Sequence, residues 1–215
     1  AEKAMKFALF QNVDKEFFAI EAYDEKIKAL QTDKNNKLVH IYSTNPTEQY
    51  AYIQAAKNRS YDVLLMDHPI DNHFIQQLEY KGENVTFVRV DSDTPDHLIQ
   101  KEEKKESVLS EKEQEKVKEL FMTLPGVTEH QLIIRPMSPD GHPVMITRPE
   151  FMRRMQEMQA MQGMGDADMF NGTYQVIVNA NHPLIADKLL NMRSAEKKEK
   201  FAAYLLRLAK LNQGM

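Results

Sequence analysis

Apolar residues in the first hundred positions come in short runs separated by polar turns, and the runs alternate between a helical and a strand period. From Phe17 to Leu30 the residues Phe18, Tyr23, Ile27 and Leu30 recur at helical spacing, and Asp33-Lys34-Asn35-Asn36 then reads as a polar turn. Leu38 to Tyr42 has the make-up of a short strand. Asn45-Pro46-Thr47-Glu48 is a helix start: Asn45 can cap, Pro46 suits the first helical position, and Glu48 stands three residues after the cap. Tyr50, Ile53 and Ala56 mark the face that this helix buries. Val63-Leu64-Leu65-Met66 is uninterrupted apolar sequence, as a strand covered on both faces requires, and Pro69 with Phe74, Ile75 and Leu78 begins another helix. Gly82 ends it, and Val85, Phe87, Val88 and Val90 make a third strand. Strand, helix, strand, helix, strand at this spacing requires right-handed crossovers. The pattern predicts an α/β three-layer sandwich with a short, mainly parallel sheet.

Between Gln100 and Lys118 the chain is nearly all Glu, Lys, Gln and Ser, too polar in its first half to enter a core, and the domain boundary is placed there. The reading gives one domain over residues 1–105 and a second over 106–215. Ser110 with Glu113 forms a capping box, Val117, Leu120 and Phe121 turn the next helix inward, and Leu124-Pro125-Gly126 stops it. Leu132-Ile133-Ile134 and Val144-Met145-Ile146 are two strands joined by Ser138-Pro139-Asp140-Gly141, a turn signal that predicts an antiparallel pair. A helix from Pro149 to Gln162, a loop from Gly163 to Gly172, a strand from Tyr174 to Val178, a short helix through Leu190 and a long helix from Ala195, capped by Ser194, complete an α+β unit. No internal repeat is found.

Composition narrows the function classes. With 215 residues, 42% hydrophobic and 28% charged, the chain can fill one or two cores and does not resemble a disordered one. A formal net charge of −4 supplies no global positive field, so nucleic acid is not an expected partner. The absence of cysteine excludes disulfides, thiolate metal sites and a cysteine nucleophile. Neither a signal peptide nor a stretch of about 18 uninterrupted apolar residues is found, so the expectation is a cytoplasmic protein with no membrane partner. The chain opens at Ala1, which suggests a fragment or a processed product.

A parallel sheet invites a nucleotide, yet no Gly-x-Gly-x-x-Gly or phosphate-loop motif follows a strand; the first leads into Ser43-Thr44-Asn45-Pro46 and the second into Asp67-His68-Pro69-Ile70. Asp67, His68, Asp71 and His73 carry metal-ligand chemistry, but a strand end followed by an acidic first helical turn accounts for them. His40, His97, His130, His142 and His182 are isolated and read as surface or packing residues. Ser43, Ser60 and Ser92 lack the nucleophile elbow of serine hydrolases. The unusual feature is a methionine series, Met152, Met155, Met158 and Met161 beside Phe151, continued by Met164. Such a stripe either packs on a core or offers an adaptable surface to varied partners.

The order of these elements resembles the ninety-kilodalton heat-shock chaperone family in its bacterial form. Asp62-Val63-Leu64-Leu65-Met66-Asp67-His68-Pro69-Ile70-Asp71 is similar to a run in the small subdomain that closes the family's middle segment, with Asn72 where the family normally has Glu. Tyr23-Asp24-Glu25-Lys26-Ile27 and Leu38-Val39-His40-Ile41-Tyr42 are similar to its helix and following strand. Val176 to Ile185 and Phe201 to Ala209 resemble parts of its C-terminal dimerisation domain.

The resemblance implies an ATP-dependent chaperone of the stress response, a homodimer whose partners are unfolded or partly folded client proteins. It places the ATP and Mg site upstream of Ala1, so no cofactor and no catalytic residue is expected within this chain, and no metal ligand. It implies that the helix carrying Phe151, Met152, Met155, Met158 and Met161 contacts clients. The long helix, with Phe201, Tyr204, Leu205, Leu208 and Leu211 along one stripe, is expected to keep apolar surface for a twofold partner, weakened because the family's last interface helix is not seen before Met215. Two other readings stand beside this one. One is a small α/β enzyme with a ligand at the sheet's switch point, and the other is an adaptor for a single partner.

Overall fold

A computed structural model describes residues 8–82, 84–101, 105–161 and 174–215, with the backbone alone for 156–161. The chain divides into two compact units, Ala1–Glu102 and Glu103–Met215.

The first unit opens with a hairpin of two antiparallel strands, β1 (Leu9–Gln11) and β2 (Phe17–Ala19), followed by helix α1 (Ile20–Ile27). This corrects the helix expected from Phe17. Phe18 turns inward with its ring centroid 5.7 Å from that of Tyr23, while Phe17 on the opposite face is exposed, so the first three residues follow the strand period. The hairpin turn is closed by the buried Asn12, whose Oδ1 accepts the N–H groups of Asp14 and Glu16. Leu30 lies beyond α1 and is exposed.

Strand β3 (Leu38–Ser43) is the centre of a three-stranded sheet, with β4 (Val63–Leu65) on one side and β5 (Val85–Arg89) on the other, both parallel to it. Val39 to Ser43 are all buried, which is what a central parallel strand demands. The crossovers carry α2 (Tyr50–Lys57) and α3 (Asp71–Lys81). Helix α2 begins at Tyr50 and not at Pro46, because Asn45 Oδ1 accepts from Thr47 and Glu48, at 3.2 Å each, within a separate turn. That start rotates the helix relative to the expected face: Tyr52, Ile53 and Ala56 are buried, and Tyr50 is exposed.

In the second unit α4 (Glu111–Met122) starts at the expected box, Ser110 donating through N–H and Oγ–H to Glu113 at 2.9 and 2.6 Å. The sheet contains β6 (Leu132–Arg135), β7 (Val144–Thr147) and β8 (Gln175–Asn179) in the order β6-β8-β7. This corrects the expected β6–β7 hairpin. The last strand inserts between them, parallel to β6 and antiparallel to β7. Val176, Ile177 and Val178 are fully buried in the central strand, which has a neighbour on each edge. Helix α5 (Glu150–Met161) follows β7; a π-helical segment (Leu184–Leu189) and α6 (Ala195–Asn212) follow β8. Ser194 caps α6 by accepting from the Lys197 N–H. The core of this unit joins Val117 and Phe121 of α4, the inner sheet residues, Ile185, Leu189, and the α6 residues Ala202, Leu205, Leu206 and Ala209. The loop expected at 163–172 lies outside the described residues.

Candidate functional site

The loop after β3 is where an open parallel sheet would hold an anion. Its donors already have a partner. Gln49, itself buried, directs Oε1 at Ser43 Oγ (2.8 Å), the Thr44 N–H (3.0 Å) and the Asn45 N–H (3.2 Å). One side-chain oxygen thus takes the place a phosphate oxygen would occupy. The loop after β4 is solvent-exposed: the His68 N–H donates to Asp71 at 3.0 Å, and His68 Nε2 lies 3.7 Å from Asp67. Among the described residues no cluster of three or more His, Asp or Glu side chains is placed to hold a metal ion. His40 packs, with its ring stacked 4.6 Å from Phe87 and Nε2 2.7 Å from Asp24. A cavity of about 240 Å³ beside Tyr61 is lined by Lys26 and Lys57, which pair with Asp62 and Asp14 respectively, so it presents no unbalanced charge to an anion.

Helix α5 has two distinct sides. Phe151 is 73% exposed, and Met152 and Met155 are half-buried. The side chains of Met158 and Met161, and Met164 entirely, lie outside the described residues. Arg153 stands two residues from Phe151, roughly 200° around the helix. Its place in the sequence suggests a solubilising face, but it is 5% exposed and paired with Glu150, which also binds Arg154 Nε at 2.7 Å. Burial pushes the Glu150 carboxyl up, but the hydrogen bonds and charges of Arg153 and Arg154 bring it below the usual carboxylate range. This triad was legible as i,i+3 and i,i+4 spacing, yet nothing in that spacing distinguishes a buried pair from a surface one.

Helix α6 divides the expected interface residues. Leu205 is 2% exposed and belongs to the unit's own core, and Phe201 packs against that core. Tyr204, Leu208 and Leu211 are 56%, 40% and 70% exposed. Their shared direction lies roughly 150° around the helix from that of Ala202, Leu205, Leu206 and Ala209. The structure therefore brings Tyr204, Leu208 and Leu211 together on one outward stripe.

A family model described as Hsp90 protein matches residues 2–214. The chain belongs to the Hsp90 family. Among similar proteins, the chaperone protein htpG of Bacteroides fragilis (strain 638R) is 42% identical over 206 residues, which is 94% of this chain and 30% of that protein. The chaperone protein HtpG of Bacteroides thetaiotaomicron is 41% identical over 87% of this chain and 28% of its own length, and that of Porphyromonas gingivalis (strain ATCC 33277) 37% identical over 88% and 28%. The chain thus spans about 30% of the length of the Hsp90-family relatives it matches. No described helix is long and apolar enough to cross a membrane.

Proposed function

We propose that this chain is the client-holding and self-pairing part of a bacterial, cytoplasmic Hsp90-family chaperone. In this reading the first unit is a three-layer α/β sandwich with a supporting role and the second a dimerisation domain, and neither performs catalysis. ATP and Mg would be handled by residues outside this chain. The observation that carries the reading is the pair of exposed apolar surfaces on the second unit, the Phe151 side of α5 and the outward stripe of α6, in a chain of this family. Filling of the β3 loop by Gln49 argues against the enzyme reading.

Clients would meet α5 where Phe151 stands clear of the unit and Met155 is half-buried, while the opposite side of the helix carries the buried Arg153. Methionine and phenylalanine suit partners of varied shape because they offer area without directional bonds. The test is suppression of aggregation of a heat-unfolded model protein by the 215-residue chain. Phe151→Ser with Met155→Ser should lower suppression several-fold and move the chain's own unfolding free energy by no more than about 1 kcal/mol. Unchanged suppression, or a loss of several kcal/mol in stability, would sink the assignment.

A further inference from the structure

Two turns distant in sequence meet at one corner of the second unit, and each carries a histidine. Asn179 ties them together. Its N–H donates to the Pro143 carbonyl at 2.9 Å and its Nδ2 to the Ser138 carbonyl at 2.8 Å, while its Oδ1 accepts the N–H groups of Met137 (3.1 Å) and Asn181 (3.0 Å). His142, next to Pro143, is thereby brought to the turn that carries His182. Asn181, the residue before His182, clamps an earlier segment of the unit: Nδ2 donates to the Glu106 carbonyl and Oδ1 accepts the Val108 N–H, both at 2.9 Å.

His182 organises the entry to the π-helical segment. Its carbonyl accepts from Ile185 and Ala186 at 2.8 and 2.9 Å, and its Nδ1 accepts the Leu184 N–H at 3.0 Å. A backbone N–H can only donate, so Nδ1 carries no proton and the neutral ring holds its proton on Nε2. A second proton would set N–H against N–H and remove the cap.

We propose that this corner is a proton-operated latch, in which protonation of His182 beside His142 breaks the cap on Leu184 and releases residues 106–108 from Asn181. The electrostatics agree in direction. Burial holds the His182 imidazole below the ordinary histidine range, the charge of a protonated His142 lowers it further, and Asp140 opposes both; burial also lowers His142. The other ionisable groups on the surrounding elements are Lys105 and Glu106 of the clamped segment, Arg135 of β6, and Asp187 and Lys188 of the π-helical segment. Because the folded-state value is depressed, the stability tied to the neutral ring is present above the unfolded value of about 6.5 and is lost as pH falls through the folded value. The latch is closed at neutral pH and opens as pH falls through that folded value.

The test is amide hydrogen exchange on the 215-residue chain at about pH 7.5 and about pH 5.5, corrected for intrinsic exchange. Leu184 and Val108 should lose roughly tenfold or more of their protection in acid, while Ile177 in the central strand keeps its own. His182→Asn supplies an acceptor that does not titrate and should flatten the response at both amides. Acid-independent protection of Leu184 and Val108 overturns the latch. So does an equal loss at Ile177, or an unchanged acid response in His182→Asn. Should that variant fail to fold, nitrogen shifts of the wild-type His182 ring decide. An Nε2–H tautomer that titrates in step with loss of Leu184 protection supports the proposal, and a ring protonated on Nδ1 at neutral pH refutes it.

Discussion

If the outward stripe of α6 joins two copies of the chain, its strength can be worked from exposure. Tyr204, Leu208 and Leu211 are 56%, 40% and 70% exposed, about one and two-thirds side chains uncovered in each copy. Complete burial of one such side chain is worth roughly 1.5–3 kcal/mol, so a twofold pair covering both stripes gains roughly 5–10 kcal/mol. Association itself costs at least about 4 kcal/mol, which leaves at most about 6 kcal/mol and a dissociation constant no tighter than tens of micromolar. Leu211→Ser removes the most exposed member, roughly 1–2 kcal/mol per copy, and a twofold interface feels it twice. The dissociation constant should rise roughly 30- to 800-fold, with folding stability moved by less than about 0.5 kcal/mol. Sedimentation over a concentration series reads the first quantity, and denaturant unfolding at low concentration reads the second. Leu205→Ala is the control on the other side of the helix: it should cost roughly 2–5 kcal/mol of stability, because Leu205 is core. A wild-type chain that stays monomeric at several hundred micromolar refutes the interface. So does a Leu211→Ser chain that pairs as well as the parent.

Gln49→Ala would strand the Ser43 hydroxyl and the Thr44 and Asn45 N–H groups, and should cost roughly 2–4 kcal/mol in urea unfolding. Gln49→Glu keeps the acceptor and should cost less than about 1 kcal/mol at neutral pH; equal losses in the two variants would show that the three donors are not what Gln49 serves. Glu150→Gln should cost roughly 2 kcal/mol at neutral pH by weakening the bonds to Arg153 and Arg154. The Glu150 carboxyl is held below its ordinary value of 4.5, so its contribution is complete above that pH and is lost as pH falls through the folded value. The difference between wild type and variant should therefore shrink in acid, and a difference independent of pH down to about 3 would refute the ion-pair account.

The parallel sheet of the first unit was legible because Val63 to Met66 is an uninterrupted apolar run and Val85, Phe87, Val88 and Val90 follow a helical stretch that Gly82 ends. The hairpin of β1 and β2 was not, since strands of three residues leave too little alternation to outweigh the helical spacing that begins at Ile20. The β6–β7 pairing was misleading for a different reason. Ser138-Pro139-Asp140-Gly141 does turn, with the Gly141 N–H donating to Ser138 at 3.0 Å, but a turn fixes only the local chain direction. The partner of β6 is held in place by Asn179, far along the chain, which bonds Met137 and Ser138 beside β8. The buried Arg153 was equally hidden, because burial of a charge is decided by its neighbours in space and not by its neighbours in sequence.

The same limit explains the mixed assignment on α6, and here the sequence held a clue that bulk hydrophobicity obscures. Phe201, Tyr204, Leu205, Leu208 and Leu211 are the large apolar residues, and weighting by size draws them into one stripe. The core face is instead marked by Ala202 and Ala209, with Leu205 and Leu206 between them. Alanine contributes little to a hydrophobic count, yet a small side chain is what lets a helix backbone lie close to a sheet packed as tightly as a protein interior. Once the alanines define the inner face, Tyr204, Leu208 and Leu211 fall on the far side, where they are exposed. A helix apolar in two directions has one more surface to cover than a single unit can cover. That second direction, with the chain's place in the Hsp90 family, is why pairing with another copy of the chain is proposed for the stripe, while Leu205 lies in the core.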